Sequence, residues 1–154
     1  MTDAIAAPIG DGFRFVVHGI PAPQGSKKAF VAAGRAMMKE SNADAHALWR
    51  NQVSLAATEA HRGRPPLTGP LRLFVEFRFP MPKSRPKYVR DLRSVWKTTA
   101  PDTDKLIRSV GDALTAAGVI VDDALVAELV VRKLEVFEMW TGADIAVSQT
   151  VGRP

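Results

Sequence analysis

The chain is predicted to fold as α/β in the α+β sense: a single domain with a mixed β-sheet and two main helices. Three patterns predict it. Apolar residues alternate with polar ones at 13–20 and 71–79, as in half-buried strands; they recur at helical spacing after Ser41 and after Asp104; and 128–140 and 143–151 read as two closing strands. The resulting order, β-α-β-loop-α-β-β, sets helices against a sheet. A chain of 154 residues suits one domain spanning 1–154, with 1–12 as a flexible tail.

In the first strand Phe13, Phe15 and Val17 alternate with Arg14 and His18. Pro21-Ala22-Pro23-Gln24-Gly25-Ser26-Lys27-Lys28 follows, a loop rich in breakers whose two lysines suit either a phosphate contact or a plain surface turn. Ser41 is placed to cap a helix, with Asp44 three residues on. Leu48, Trp49, Gln52, Val53, Leu55, Ala56 and Ala60 then recur until Gly63, Pro65 and Pro66 stop it. The strand at 71–79 sets Leu71, Leu73, Val75, Phe77 and Phe79 on one face and Arg72, Glu76 and Arg78 on the other. In the second helix Leu106, Val110, Ala113, Leu114 and Ala117 share a face, Asp104, Arg108 and Asp112 repeat on the opposite one, and Gly118 is the stop. Val119-Ile120-Val121 returns the chain. The last two strands are expected to form a hairpin through Thr141-Gly142.

The absence of cysteine excludes disulfides and thiolate zinc sites and suits a reducing cytosol. No apolar run approaches the roughly 18–20 residues that span a bilayer, and the first twelve residues lack the basic and apolar regions of a signal peptide. A soluble, cytoplasmic protein is expected. The formal charge of +5 is matched by one segment, where Lys83, Arg85, Lys87, Arg90, Arg93 and Lys97 face the single acid Asp91, leaving the remainder neutral. Interleaved with Tyr88 and Trp96, this block suits a nucleic-acid backbone, since each cation on a phosphate releases counterions; a solvated loop without a partner is the other reading. His18, His46 and His61 show no ligand spacing and read as surface or half-buried residues. Gly25 and Gly34 make no nucleotide-binding fingerprint, so no nucleotide cofactor is implied.

Against that basic background stand Asp102 and Asp104 at the start of the second helix and Asp122-Asp123 just past its end. Mutual repulsion makes such a gathering of anions costly unless a hard cation neutralises it, and two or three carboxylates can hold Mg²⁺ or Mn²⁺ for attack on a phosphate ester. Arg108, one turn on, can stabilise the transition-state charge. One aspartate is equally explained as a helix cap and the second pair as a polar turn. Alternation does not decide which of Asp122 and Asp123 points inward.

The stretch Pro101-Asp102-Thr103-Asp104-Lys105-Leu106-Ile107-Arg108, with Gly111-Asp112-Ala113-Leu114-Thr115 and Val121-Asp122-Asp123-Ala124, closely resembles the RusA family of Holliday-junction endonucleases and aligns without a gap through Arg132-Lys133. The resemblance implies a RusA-like fold and a homodimer that uses Mg²⁺ or Mn²⁺ to nick paired strands of a four-way DNA junction in recombination and repair, in bacteria or their phages. It places the metal on Asp102, Asp104 and Asp123 with Asp122 adjacent, and matches Asp112 to a further acid. Arg108 stands where the family has a catalytic lysine, with Lys105 one turn earlier. Lys27, Lys28, Lys83, Arg85, Lys87, Arg90, Arg93, Lys97 and Lys105 are the expected DNA contacts. Flap or fork cleavage by the same site, and branched-DNA binding without cleavage, are the alternatives.

Overall fold

The computed structural model describes residues 12–25, 27–32, 34–40 and 43–150. In chain order the elements are β1 (Phe13–His18), β2 (Lys27–Ala32), β3 (Arg35–Glu40), α1 (Ala43–His61), β4 (Leu71–Pro80), α2 (Lys87–Arg90), β5 (Ser94–Trp96), α3 (Thr103–Ala116), a 3₁₀ turn at Asp123–Leu125, β6 (Val126–Val136) and β7 (Gly142–Gln149). Five strands form one mixed sheet in the order β1-β7-β4-β6-β5, and β2 and β3 pair separately as an antiparallel hairpin. Lys27 and Lys28 therefore open a strand rather than end a loop. The expected Ser41 cap lies outside the described residues.

The alternation at β1 and β4 holds. Phe13, Phe15 and Val17 are buried, as are Leu71, Leu73, Val75, Phe77 and Phe79, and on this face α1 and α3 pack to make the core. Leu106, Val110 and Leu114 of α3 are wholly buried; each contributes about 1.5–3 kcal/mol relative to exposure. Helix α3 ends where the glycine predicted: Gly118 takes φ 71°, and Val119 N–H reaches back to the Leu114 carbonyl.

The expected β6–β7 hairpin does not form. β4 lies between the two strands, parallel to β6 and antiparallel to β7. The parallel pairing needs a long crossover, which the segment containing α3 supplies. β4 wins the central position because it is buried on both sides, its second face carrying Phe74 at 7% and Glu76 at 8% exposure. The inner seam of α1 also differs from the apolar pattern. His46, Trp49, Val53, Ala57 and His61 are buried, whereas Leu48 and Leu55 face out at 62% and 73% exposure. His46 and His61 are thus core residues, not surface ones; their spacing from Trp49, Val53 and Ala57 is helical, so both fall on the buried side.

Candidate active site

Helix α3 supplies the scaffold. Asp102 occupies its N-cap position with extended backbone (φ −70°, ψ 140°), but its carboxylate accepts no capping hydrogen bond. The capping explanation therefore fails for Asp102: the carboxylate is 67% exposed, with Lys105 Nζ 4.0 Å from Oδ2. Asp104 lies in the first turn, where the helix dipole favours an anion. Arg108 follows one turn later. Both are exposed, and among the described residues neither makes a side-chain hydrogen bond or ion pair.

The second acidic pair arrives on the 3₁₀ turn, which packs against α3. Asp122 is the residue that caps: its Oδ1 accepts the Ala124 N–H at 2.8 Å. Asp123 lies on the helix at Gly111, where the three nearest heavy atoms to an added Cβ would be Asp123 Cβ and Oδ2 at 3.3 Å and Cγ at 3.8 Å. A glycine inside a helix costs about 1 kcal/mol relative to alanine; here its missing side chain makes room for a carboxylate. Although Asp123 as a residue is exposed, its carboxyl is pushed above the ordinary aspartate range, first by desolvation against the helix, then by the hydrogen bond with Asp122 and repulsion from Asp122 and Asp112, with the Ala124 amide opposing. Two apart in sequence, Asp104 and Asp102 thus begin the helix while Asp123, Asp122 and Asp112 gather farther along it.

Tests of metal fit divide. The donors are hard carboxylate oxygens in excess, and the ionised form of Asp123 is disfavoured by burial first and then by its acidic neighbours; the excess of donors and the repulsion both suit a divalent cation. Among the described residues, however, no three His, Asp or Glu side chains converge closely enough to hold one. The fit is one of donor type and charge, with the carboxylates not drawn into a single shell.

Two functional-looking groups escaped the sequence reading. Glu135, two residues along β6 from Lys133, is fully buried, and Arg85 closes on it with Nε and Nη2 at 2.9 and 2.8 Å. Lys97 Nζ lies 3.9 Å from the same carboxylate and donates to Thr99 Oγ1 at 2.9 Å. Arg85 and Lys97, expected on DNA, are therefore turned inward to anchor the basic segment, because a buried carboxylate must be paired. Of the other cations of that segment Lys83, Lys87 and Arg93 are exposed, whereas Arg90 is half-buried with its Nε covered. Lys87 pairs with Asp91 at 2.7 Å in solvent, Arg93 pairs with Glu138 at 3.1 Å, and Arg90 lies over the Phe137 ring. Tyr88 and Trp96 are 73% and 60% exposed. Lys133 Nζ donates to the Thr99 and Pro101 carbonyls at 2.8 and 2.7 Å, directly before Asp102. Its ammonium is pushed below the ordinary lysine range, by burial first and then by Lys97, with Asp102 opposing. A lysine and a glutamate two apart on β6, and so on one face of the strand, were the available signal.

Known proteins bear on this geometry. The sequence profile described as Endodeoxyribonuclease RusA matches residues 19–147, from the end of β1 through most of β7. The chain belongs to the RusA family. It is also similar to the uncharacterized protein YqaN of Bacillus subtilis (strain 168), 30% identical over 128 residues that cover 80% of this chain and 87% of that protein. The RusA match takes in the whole of α3, the 3₁₀ turn and β6, so every acid described above lies inside it. The activity class it carries is that of a DNA endonuclease, and the observed mixed sheet with helices on one face is consistent with that fold. Among the described residues no helix is long and apolar enough to cross a membrane.

Proposed function

We propose that this protein is a metal-dependent, structure-selective endodeoxyribonuclease that resolves four-way DNA junctions by paired symmetric nicks, acting in the cytosol as a homodimer. The observation that carries the reading is the placement of Asp123 against Gly111, beside two further acids and on the helix that opens with Asp102 and Asp104. A carboxyl disfavoured as an anion, held in a space cleared for it, is better explained by a reaction than by a turn.

In this reading Asp102, Asp104 and Asp123 are the carboxylates that would hold Mg²⁺ or Mn²⁺ once the ion draws them together, while Asp122 sustains the turn that presents Asp123. The ion, when bound, lowers the pKa of a water and neutralises charge on the phosphate under attack. Arg108, exposed and without an internal partner among the described residues, offers its guanidinium to the charge that develops on phosphorus. Arginine binds phosphate bidentately but does not readily release a proton, so its role here is electrostatic. Lys83, Lys87, Arg90 and Arg93 hold the backbone without reading sequence, and Tyr88 and Trp96 stack on unpaired bases at the branch. A two-fold dimer matches the pseudo-two-fold symmetry of a junction.

A labelled four-way junction, a flap and matched duplex, each incubated with Mg²⁺, Mn²⁺ or EDTA, test the proposal. Paired nicks confined to the junction and abolished by EDTA are expected. Cutting of the flap alone would move the substrate, and binding without cutting in either metal would overturn the nuclease assignment for this chain. The latter reading draws on Arg108 standing in the lysine position; an Asp104→Asn variant that loses cutting while keeping junction binding argues against it.

A further inference from the structure

We propose that Lys133 is a positioning residue that acts through Asp102, by clamping the loop that presents this carboxylate. The proposal rests on the nuclease reading above for its consequence, but on geometry for its existence. Loop 97–101 has left β5 and must reach the start of α3, and its peptide groups at Thr99 and Pro101 have no strand to pair with. The Lys133 ammonium donates to both of their carbonyls, at 2.8 and 2.7 Å, from the neighbouring strand β6. Those two carbonyls flank Ala100, and the second belongs to the residue bonded to Asp102, so the clamp acts on the backbone immediately before the carboxylate.

The surroundings make the clamp specific. Lys97 N–H pairs with the Lys133 carbonyl, and the Lys97 side chain holds Thr99 Oγ1 at 2.9 Å, so the loop is gripped from two adjacent cations. Helix α3 is tied from the other side, where Gln24 N–H donates to the Lys105 carbonyl at 3.2 Å. Asp102 has no side-chain capping bond; its own carbonyl is held from the helix side by Leu106 N–H at 3.1 Å, and the clamp fixes the backbone on the side that precedes it. Two charge-assisted hydrogen bonds from one ammonium are stronger than neutral ones, and they place a positive charge near Asp102 without bonding its carboxylate, whose Oδ2 faces Lys105 Nζ at 4.0 Å. Arginine at position 133 preserves donors and charge; methionine keeps the apolar stem and removes both.

The experiment compares wild type, Lys133→Met and Lys133→Arg. In the metal-free protein, carbonyl ¹³C shifts of Thr99 and Pro101 and backbone order over 99–104 are read by NMR, which requires no activity. Lys133→Met is expected to move both carbonyl shifts and to lower order at 99–104, while Lys133→Arg restores them. Calorimetric titration with Mn²⁺ then follows, expected to show about tenfold weaker binding in Lys133→Met, and no further loss when that change is added to Asp102→Asn. Steady-state cleavage is expected to show a fall in kcat of at least about tenfold with KM for the junction nearly unchanged. Unaltered carbonyl shifts and order in Lys133→Met overturn the clamp whatever the enzyme does. Additive effects of Lys133→Met and Asp102→Asn on Mn²⁺ binding overturn its action through Asp102. Should Lys133→Met not fold, Lys133→Gln is read in the same way; wild type that binds no Mn²⁺ removes the metal assignment, and the clamp is then decided by the NMR comparison.

Discussion

Gly111→Ala adds a single methyl group to α3 at a point where its nearest neighbours outside the helix backbone are the atoms of Asp123, two of them at 3.3 Å. Helix propensity alone favours the change by about 0.8–1 kcal/mol. The contact at 3.3 Å is tight, so Asp123 must retreat by a few tenths of an ångström; it sits exposed on a three-residue turn and yields cheaply. The net expectation is a fold more stable by about 0.5–1 kcal/mol, or a Tm higher by about 1–4 °C for a domain of this size. Activity should move the other way. A catalytic group displaced by 1 Å costs about a hundredfold, so a few tenths should cost on the order of tenfold in single-turnover nicking. Thermal unfolding in metal-free buffer and junction cleavage in Mn²⁺ read the two effects separately. A Tm lowered by more than about 2 °C would show that the helix has no room for the methyl group, and unchanged nicking would show that Asp123 is not where the reaction happens; either result refutes the role assigned to this glycine.

The remaining predictions concern the acids and the basic segment. Because the folded state raises the Asp123 pKa, its ionised form opposes folding: that penalty is absent below the ordinary aspartate range and present once pH exceeds the folded value. Asp123→Asn should therefore raise the metal-free Tm at neutral pH, with the gain vanishing in acid, and should abolish stabilisation by added Mn²⁺. Asp102→Ala removes a carboxylate that caps nothing, so Tm should stay within about 2 °C instead of showing the roughly 1 kcal/mol loss of a true cap, while cleavage disappears. Replacing Lys83 and Lys87 together by alanine should weaken junction binding without altering Tm and reduce the slope of log K against log salt by about 2. Arg85→Ala should do the opposite: it leaves Glu135 buried without its bidentate partner, so Tm falls measurably, and the salt slope changes less than for the surface lysines.

Local periodicity made the strands at β1 and β4 and the second helix legible, since each carries an apolar core face written at a spacing of two or about 3.6 residues. The amphipathic pattern of α3 also located Asp104, Arg108 and Asp112 on its outer side, and Gly118 marked its end. α1 was legible as a helix but not in its rotation, because alanines and polar residues around its circumference leave several faces similar in hydrophobicity; contact with β1 and α3 chose the side carrying Trp49 and two histidines.

What the sequence by itself determined is the long elements β1, α1, β4, α3, β6 and β7 and the acids at the ends of α3, because these follow from residue type and spacing along a few turns or strands, whereas the short β2, β3, α2 and β5 carry too few residues for a period to show. Only the tertiary structure decided their partners. It inserted β4 between β6 and β7, since strand order depends on which faces the whole core can cover and not on adjacency in the chain. It separated Asp122, which caps the turn, from Asp123, which leans on Gly111, and it buried Glu135 beneath Arg85 and set Lys133 behind Asp102. Gly111 with Asp123, Pro101 with Lys133 and Arg85 with Glu135 pair residues from different segments 12, 32 and 50 positions apart, and no local pattern encodes a contact at that separation.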